Sequence, residues 1–276
     1  MLLIRFCGCL LIALLPTGLL AAGNMLTGAR AAGMANATVA VYDFWGISHN
    51  QAGMAGLEYP SAAFYAENRF MVQEMSLAAV ACILPAAKGN VGLSLTYFGN
   101  HLYGEGKAGL AYARAFGEKL SAGMQLNYLF VSIGDGYGST GAVAAELGII
   151  IEVLPNMQVG AHIFNPTRAL LTRYEHLHAD ERIATVVRTG LSYSFSGNVM
   201  ISIEAEKDIR HPPVARFGLE YAITQGVMVR TGLSTNPMHN TFGFGLHTGQ
   251  WQIDIASSYH YLLGYSPQAG IVYTFR

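Results

Sequence analysis

From Tyr59 to Arg276 the chain is a succession of short segments in which apolar and polar residues alternate, separated by turn residues. In one segment Val199, Ile201, Ile203 and Ala205 alternate with Met200, Ser202, Glu204 and Glu206. A period of two puts successive side chains on opposite faces of a strand, so each segment carries one apolar and one polar surface. The chain is 52% hydrophobic and only 12% charged. Beyond the N-terminal leader that apolarity never forms a run of about 20 residues, the length a membrane helix needs. Gly, Ser, Asn or a charge interrupts every candidate. Hydrocarbon admits only helices and closed barrels, because every backbone N–H and C=O must find an internal partner. The reading left is an all-β chain, a transmembrane antiparallel β-barrel of the bacterial outer membrane, surrounded by outer-membrane lipid.

Residues 1–23 have the parts of a secretory signal peptide. Arg5 supplies the positive region and Cys9–Leu20 the apolar run. Leu20-Ala21-Ala22 or Ala21-Ala22-Gly23 supplies the small-residue cleavage site. Cys7 and Cys9 lie too early for a lipoprotein box and leave with the leader. The mature chain then keeps Cys82 alone, which excludes an intramolecular disulfide. A net charge of -1 gives no basic footprint for nucleic acid.

Turn chemistry divides the rest into about fourteen strands. They run over Ser61–Asn68, Gln73–Leu84, Asn90–Phe98, Lys107–Phe116, Leu120–Ile133, Thr140–Val153 and Gln158–Phe164. The second half gives Ile183–Phe195, Val199–Lys207, Val214–Ile223, Val227–Ser234, Thr241–Thr248, Trp251–Leu262 and Gln268–Phe275. Links after even-numbered strands are tight, as at Gly117-Glu118-Lys119 and Gly249-Gln250; most links after odd-numbered strands are longer, up to Asn165–Arg182. Short periplasmic turns, longer external loops and two periplasmic termini are expected of such a barrel. Alternation also assigns faces. Leu120, Met124, Leu126 and Tyr128 should meet lipid, while Ser121, Gln125 and Asn127 should face the lumen. Tyr97, Tyr112, Trp251 and Tyr261 suit the interfacial girdles.

The stretch between leader and first strand differs: Gly28-Ala29-Arg30-Ala31-Ala32-Gly33-Met34-Ala35-Asn36-Ala37, then Asp43, then Asn50-Gln51-Ala52-Gly53-Met54. Its small residues permit close backbone packing. Such a segment either packs inside the barrel as a plug or forms a flexible periplasmic leader. In order and spacing these residues resemble the FadL superfamily of outer-membrane proteins, and within it the PorV/PorQ-like branch of Bacteroidetes-type bacteria. That group opens with Gly-Ala-Arg-x-x-Gly-Met-Gly-x-Ala, followed by an Asp and an Asn-Pro-Ala-Gly-Leu element. Ala35 stands where the pattern has Gly, and Gln51 where it has Pro. The resemblance implies a fourteen-stranded barrel whose residues 24–58 enter the lumen of a 59–276 barrel as a hatch. It marks Gly28, Arg30, Gly33, Asp43, Asn50 and Gly53 as hatch positions. It also implies a transport-related role. This is passage of a small hydrophobic solute or, as the alternative, non-enzymatic assistance of type IX-like protein secretion through a cargo or secretion-machinery protein.

Seven charges fall on lumen-facing positions: Arg188, Glu204, Glu206, Arg216, Glu220, Arg230 and Asp254. Side chains on the same face of neighbouring strands come within reach of one another. The set either lines a polar conduit or staples the interior. In the longest external loop His176, His178, Asp180 and Glu181 have metal-binding chemistry. Their mixed charges equally describe a solvated loop, and no metal or cofactor is assigned. Asp254, Ser258 and His260 share a face. Residues two apart on one strand diverge, so they do not build the contact a Ser–His nucleophile needs. The chain is not read as an enzyme.

Overall fold

The computed structural model describes residues 24–134, 138–174 and 179–276. The leader and the loop residues His176 and His178 lie outside the described residues. Residues 24–58 contain two short helices, α1 (Ala29–Gly33) and α2 (Gly46–His49), and a 3-10 helix at Gln51–Gly56. The strands that follow are β1 (Ser61–Asn68), β2 (Ser76–Ala86), β3 (Gly89–Gly99), β4 (Tyr103–Phe116), β5 (Leu120–Ile133), β6 (Gly138–Leu154) and β7 (Met157–Phe164). A small hairpin, β8 (Leu170–Tyr174) and β9 (Ala179–Arg182), interrupts the series. The remaining strands are β10 (Val186–Phe195), β11 (Val199–Asp208), β12 (Val214–Thr224), β13 (Val227–Ser234), β14 (His239–Thr248), β15 (Trp251–His260) and β16 (Gly264–Thr274).

All but β8 and β9 form one closed antiparallel barrel of fourteen strands, each paired with its chain neighbour, and β1 closes on β16. The closing register runs from Ser61 opposite Thr274 to Glu67 opposite Gln268. Closure leaves no edge, so every strand has a partner on both sides. No helix among the described residues is long and apolar enough to cross a membrane.

The faces follow the alternation. Leu120, Met124, Leu126 and Tyr128 are exposed on the outer wall, whereas Ser121, Gln125 and Asn127 are buried inside. Tyr97, Tyr112, Trp251 and Tyr261 are exposed on the outside. An outer wall this apolar is unstable in water and stable against acyl chains, which makes the chain a transmembrane barrel of the outer-membrane type.

Several boundaries differ from the sequence expectation for identifiable reasons. Two 3-10 turns, Arg69–Met71 and Gln73–Met75, delay β2 to Ser76. β16 starts at Gly264, four residues before Gln268, because Pro267 lies inside the strand. Its missing N–H is tolerated there because pairing to β1 has already ended at Gln268. The Asn165–Arg182 loop is not only a solvated loop. Leu171 and Ile183 are buried with Leu129, Val131, Phe164 and Val186. Leu129 and Val131 belong to the buried face of β5, so the loop folds inward over the external mouth.

The N-terminal end is also different. Phe275 follows β16 on the short-turn side, as expected, and its N–H bonds Pro60. Asn24, by contrast, lies within the barrel, where its side chain accepts a hydrogen bond from Arg188. The strands enclose most of residues 24–55, while Glu58 is exposed, so the start of the described chain is luminal rather than periplasmic.

Candidate functional site

Residues 28–57 follow the inner wall from strand to strand, and lumen-facing glycines make room for them. A Cβ on Gly270 of β16 would meet that of Ala29 at 3.5 Å, and one on Gly243 of β14 would meet Gly33 Cα at 3.1 Å. On Gly232 it would lie 2.5 Å from Ala35 N, and on Gly218 2.7 Å from Met34 Cβ. The track continues past Gly190 and Gly160, both against Val39. It ends on β5, where a Cβ on Gly123 would lie 2.5 Å from the Gln51 carbonyl carbon. At Gly270 the contact is an ordinary one, but at Gly232, Gly218, Gly190, Gly160 and Gly123 a Cβ would displace its neighbours, so much of the barrel wall is cut to the shape of this segment.

Polar anchors fix the same circuit. Glu204 Oε2 accepts from the N–H groups of Thr38 (3.0 Å) and Val39 (2.9 Å). Ser192 donates to Ala40 O (2.9 Å). Asn50 donates to Val39 O (2.6 Å) and to Ile149 O of β6 (3.0 Å). Asn90 of β3 donates to Met54 O (2.5 Å) and Leu57 O (3.0 Å). These bonds satisfy backbone groups that a non-strand segment would otherwise bury unpaired.

Within the segment, Gly28 combines a φ of +115° with a Cβ position 2.6 Å from Trp45 Cγ, so only glycine fits. Gly53 is equally constrained, since its Cβ would lie 2.7 Å from Val41 O. Asn50 is extended (φ -155°, ψ 108°), the conformation that a following proline favours. Its side chain caps the 3-10 helix through Ala52 N (3.2 Å). The bend is therefore made without the proline that Gln51 replaces. Ala35, standing in place of a glycine, holds a φ of +54°.

The seven lumen-facing charges divide into two ion clusters. In the first, Arg188 Nε bonds Glu206 (2.8 Å), and Arg216 Nη1 bonds both Glu204 and Glu206 (2.9 Å each). In the second, Arg30 of α1 meets Glu220 through Nε (2.9 Å) and Nη2 (2.7 Å), with Asp43 at 3.4 Å from Nη1. Arg230 joins Glu220 (2.5 Å) to Asp254 (2.6 Å). Burial alone would lower the Arg30 pKa; Glu220 and Asp43 outweigh it, so Arg30 stays charged. Burial raises the Asp43 carboxyl above its usual range, against the pull of Arg30. His49, buried beside Arg188, is pushed down to about 3 and is neutral. Its Nε2 bonds Thr27 O at 2.9 Å.

A third polar cluster was not anticipated. Glu146 of β6 accepts from Asn127 (2.8 Å), His162 (3.0 Å) and Gln51 (2.9 Å), with Lys107 Nζ at 3.5 Å. Gln51 thus ties the hatch segment to the wall.

The opposite side of the lumen has another chemistry. Ala63 and Tyr65 of β1 and Leu77, Ala79, Ala81 and Ile83 of β2 face inward, packing with Met25, Phe44 and Trp45. The outward residues of the same strands include Phe64, Val80 and Leu84. Between Ser61 and Glu67 this wall is apolar on both faces; at its external end Glu67 faces inward, held by Arg69 (3.4 Å) and Gln268 (3.3 Å). Above Glu67 the β1–β16 pairing stops. The turn after β1 covers the end of β16 there, with Phe70 N donating to Ser266 Oγ (2.9 Å). A groove of about 680 Å³ lies at this seam. Its border includes inward Glu67, Leu77, Ala256 and Gln268 as well as outward Ala66, Ala78, Pro267 and Ala269, with Asn68 and Ser76 at its external end. The adjoining loop tips expose Met71, Leu102, Tyr261 and Leu262.

No family model matches the chain, and no curated protein matches it in sequence. Solved structures do match in shape. The monoaromatic hydrocarbon channel CymD superimposes with a TM-score of 0.70 at 13% identity, covering 91% of this chain and 98% of that one. The P. putida toluene transporter TodX gives 0.69 at 12% identity, over 90% and 98%. A Pseudomonas aeruginosa FadL homologue gives 0.65 at 12%, over 91% and 98%. With fourteen strands closed around an N-terminal segment, the chain has the fold of the FadL-type outer-membrane barrels.

Proposed function

We propose that the chain passes small, uncharged hydrophobic solutes across the bacterial outer membrane, with residues 28–57 acting as a fixed seal against water and ions. The observation that carries this reading is the seam groove. It stands where β1–β16 pairing ends, beside the wall whose inward Ala63, Tyr65, Leu77, Ala79 and Ala81 back outward Phe64 and Val80, with Glu67 held by Arg69 at its border. Apolar loop tips above it offer a landing surface, and the groove borders both lumen and lipid. An apolar solute can follow this side without entering the polar side of the lumen.

Charge pairing supports an uncharged cargo. Among the described residues the lumen-buried side chains of Arg30, Lys107, Arg188, Arg216 and Arg230 each lie against a carboxylate. A solute carboxylate would have to displace one of these partners, leaving a buried charge unpaired at a cost of about 3–5 kcal/mol. Toluene and monoaromatic hydrocarbons, named for TodX and CymD, have the matching chemistry. The finer likeness to the PorV/PorQ-like branch rests on the Gly28–Ala37 and Asn50–Met54 elements. Its cargo-binding role is less well supported, because the longest external loop turns Leu171 inward.

Uptake by intact cells tests the proposal, since their polysaccharide-covered outer leaflet slows apolar solutes. Cells lacking other hydrocarbon channels should take up labelled toluene faster when they express this chain. Labelled decanoate should gain little. Equal gains for both would refute charge selection, and no gain for either would refute passage.

A further inference from the structure

We infer that the β1–β5 sector of the outer wall seats one anionic phospholipid of the periplasmic leaflet, with an acyl chain on each side of a Leu93–Leu95 ridge and the phosphate at Lys88 and Arg114. The inference rests on the transmembrane setting of the barrel and not on which solute passes.

Two apolar grooves lie side by side in the lipid-facing wall. The first, of about 520 Å³, lies over β1 and β2. Its floor is made of small residues, with outward Ala62 opposite Cys82, and Phe64, Trp251, Ile271 and Tyr273 stand around it. The second, of about 450 Å³, lies over β4. Ala108 is its floor, between Leu95 of β3 and Tyr128 of β5, and Leu110, Leu126 and Val143 border it. Leu93 and Leu95 border both grooves. They are 54% and 57% exposed, so they stand as a ridge between two troughs. Two chains joined at one end match two troughs divided by one ridge.

Charge marks the end at which the chains are joined. The periplasmic turns Pro155-Asn156, Ser196-Gly197-Asn198, Gln225-Gly226 and Gly249-Gln250 carry no cation. Outside the lumen, the cations of that side are Lys88, Arg114, Lys119 and Arg276, all between the end of β16 and the start of β5. Lys119 shares its turn with Glu118. Arg276 lies over the Tyr59 ring (5.4 Å), next to Glu58. Lys88 and Arg114 have no acidic residue within three positions, and both are exposed. Register brings them together. Asn90 pairs with Ala113, so Lys88 comes beside the Arg114 end of β4, and Tyr112 Oη donates to Lys88 O at 3.0 Å. Arg114 keeps the outward phase of Leu110 and Tyr112 and lies over the Phe116 ring (5.2 Å).

An ammonium and a guanidinium at the edge of the lipid face suit a phosphate, which accepts charge-assisted hydrogen bonds from both. No carboxylate stands beside them for the ammonium of a zwitterionic headgroup, which favours a lipid of net negative charge. Leu93 lies about 13 Å along β3 from Gly89. Half of the hydrocarbon core is about 15 Å thick, so chains hung from Lys88 and Arg114 reach the ridge. A second copy of the chain fits less well. Barrels share one orientation in the membrane, so a two-fold contact through this face would set Lys88 and Arg114 against the same cations at the same depth.

The test uses the whole barrel, purified from outer membranes in detergent and mixed with equal amounts of phosphatidylglycerol and phosphatidylethanolamine of the same chain length. Native mass spectrometry counts the lipids retained, and heat-dependent gel migration confirms the fold of each variant. The parent should retain one phosphatidylglycerol in preference. Lys88→Gln with Arg114→Gln should lower that retention by about thirtyfold, the effect of two cations at an anionic lipid surface, and leave phosphatidylethanolamine unchanged. Arg276→Gln should have little effect. Ala108→Phe fills one groove and should weaken phosphatidylglycerol while sparing its single-chain lyso form. Equal retention of the two lipids by the parent, or equal retention of phosphatidylglycerol by parent and double variant, would overturn the site. A loss on Arg276→Gln as large as in the double variant would overturn its placement, and an Ala108→Phe barrel that treats the diacyl and lyso forms alike would overturn the two-chain seat.

Discussion

Gly123→Leu is expected to unseat the hatch and turn a closed barrel into an ion-conducting pore. A Cβ at this position lies 2.5 Å from the Gln51 carbonyl carbon and 2.6 Å from Ala52 N. Both are backbone atoms of the 3-10 helix, which cannot rotate away as a side chain would. Overpacking a core typically costs about 1–3 kcal/mol when side chains can adjust. Here the larger share falls on residues 51–52, because β5 is held on both sides, with Gly123 between Ala113 of β4 and Gly148 of β6. The ladder should survive and the hatch should yield. Planar-bilayer recordings should find the parent chain silent and Gly123→Leu open. Ala122→Leu, on the lipid face of the same strand, should remain silent. A folded Gly123→Leu barrel that conducts nothing would mean that residues 28–57 are not the seal.

The second large effect is expected at Glu220. Its carboxylate is shared by Arg30 of the hatch and Arg230 of the wall, so Glu220→Ala strands two guanidiniums at once. Arg30 would keep only Asp43 at 3.4 Å, and Arg230 only Asp254. Breaking a buried pair from one side costs about 3–5 kcal/mol, whereas replacing both partners with apolar residues is often close to neutral. Hydrogen exchange in residues 28–57 should therefore rise by several orders of magnitude in Glu220→Ala. The double variant Arg30→Met with Glu220→Met should recover much of the protection. Equal losses in the single and double variants would show that the cluster does not hold the hatch. Exchange in β5 and β6, which lie away from this cluster, reports the barrel itself.

The barrel was legible because its physics is local. A period of two, turn residues and the need to pair every strand are written within about ten residues of one another. They gave the strand count and the lipid face correctly, as at Leu120–Ile133. The inward set Arg188, Glu204, Glu206, Arg216, Glu220, Arg230 and Asp254 was readable from alternation alone. Its division into two clusters was not, because Arg30 and Asp43 reach it from a distant part of the chain. The third cluster was missed although one signal was available. Glu146 is a fully buried inward charge in the middle of a long apolar strand, and a charge in that position requires partners. His162 supplies one from the adjacent β7 and Lys107 the other from β4, across β5, so the set closes only when the strands are paired. The glycine track escaped notice for a similar reason. Gly123, Gly218 and Gly232 look like ordinary strand glycines until the hatch is laid against them. The luminal position of Asn24 depends on closure of the whole barrel and has no local mark.

The central claim is that an apolar solute passes along the β16–β1–β2 side while the hatch stays in place. A disulfide tests it directly. Cβ atoms at positions 29 and 270 would lie 3.5 Å apart, within the range such bonds span. Ala29→Cys with Gly270→Cys, in a Cys82→Ser background, should lock the hatch to β16 when oxidised. The measurement is labelled-toluene uptake by cells bearing the locked barrel, before and after reduction. Unchanged uptake is the expected result. Uptake that disappears on locking and returns on reduction would contradict the account, because passage would then require the hatch to move.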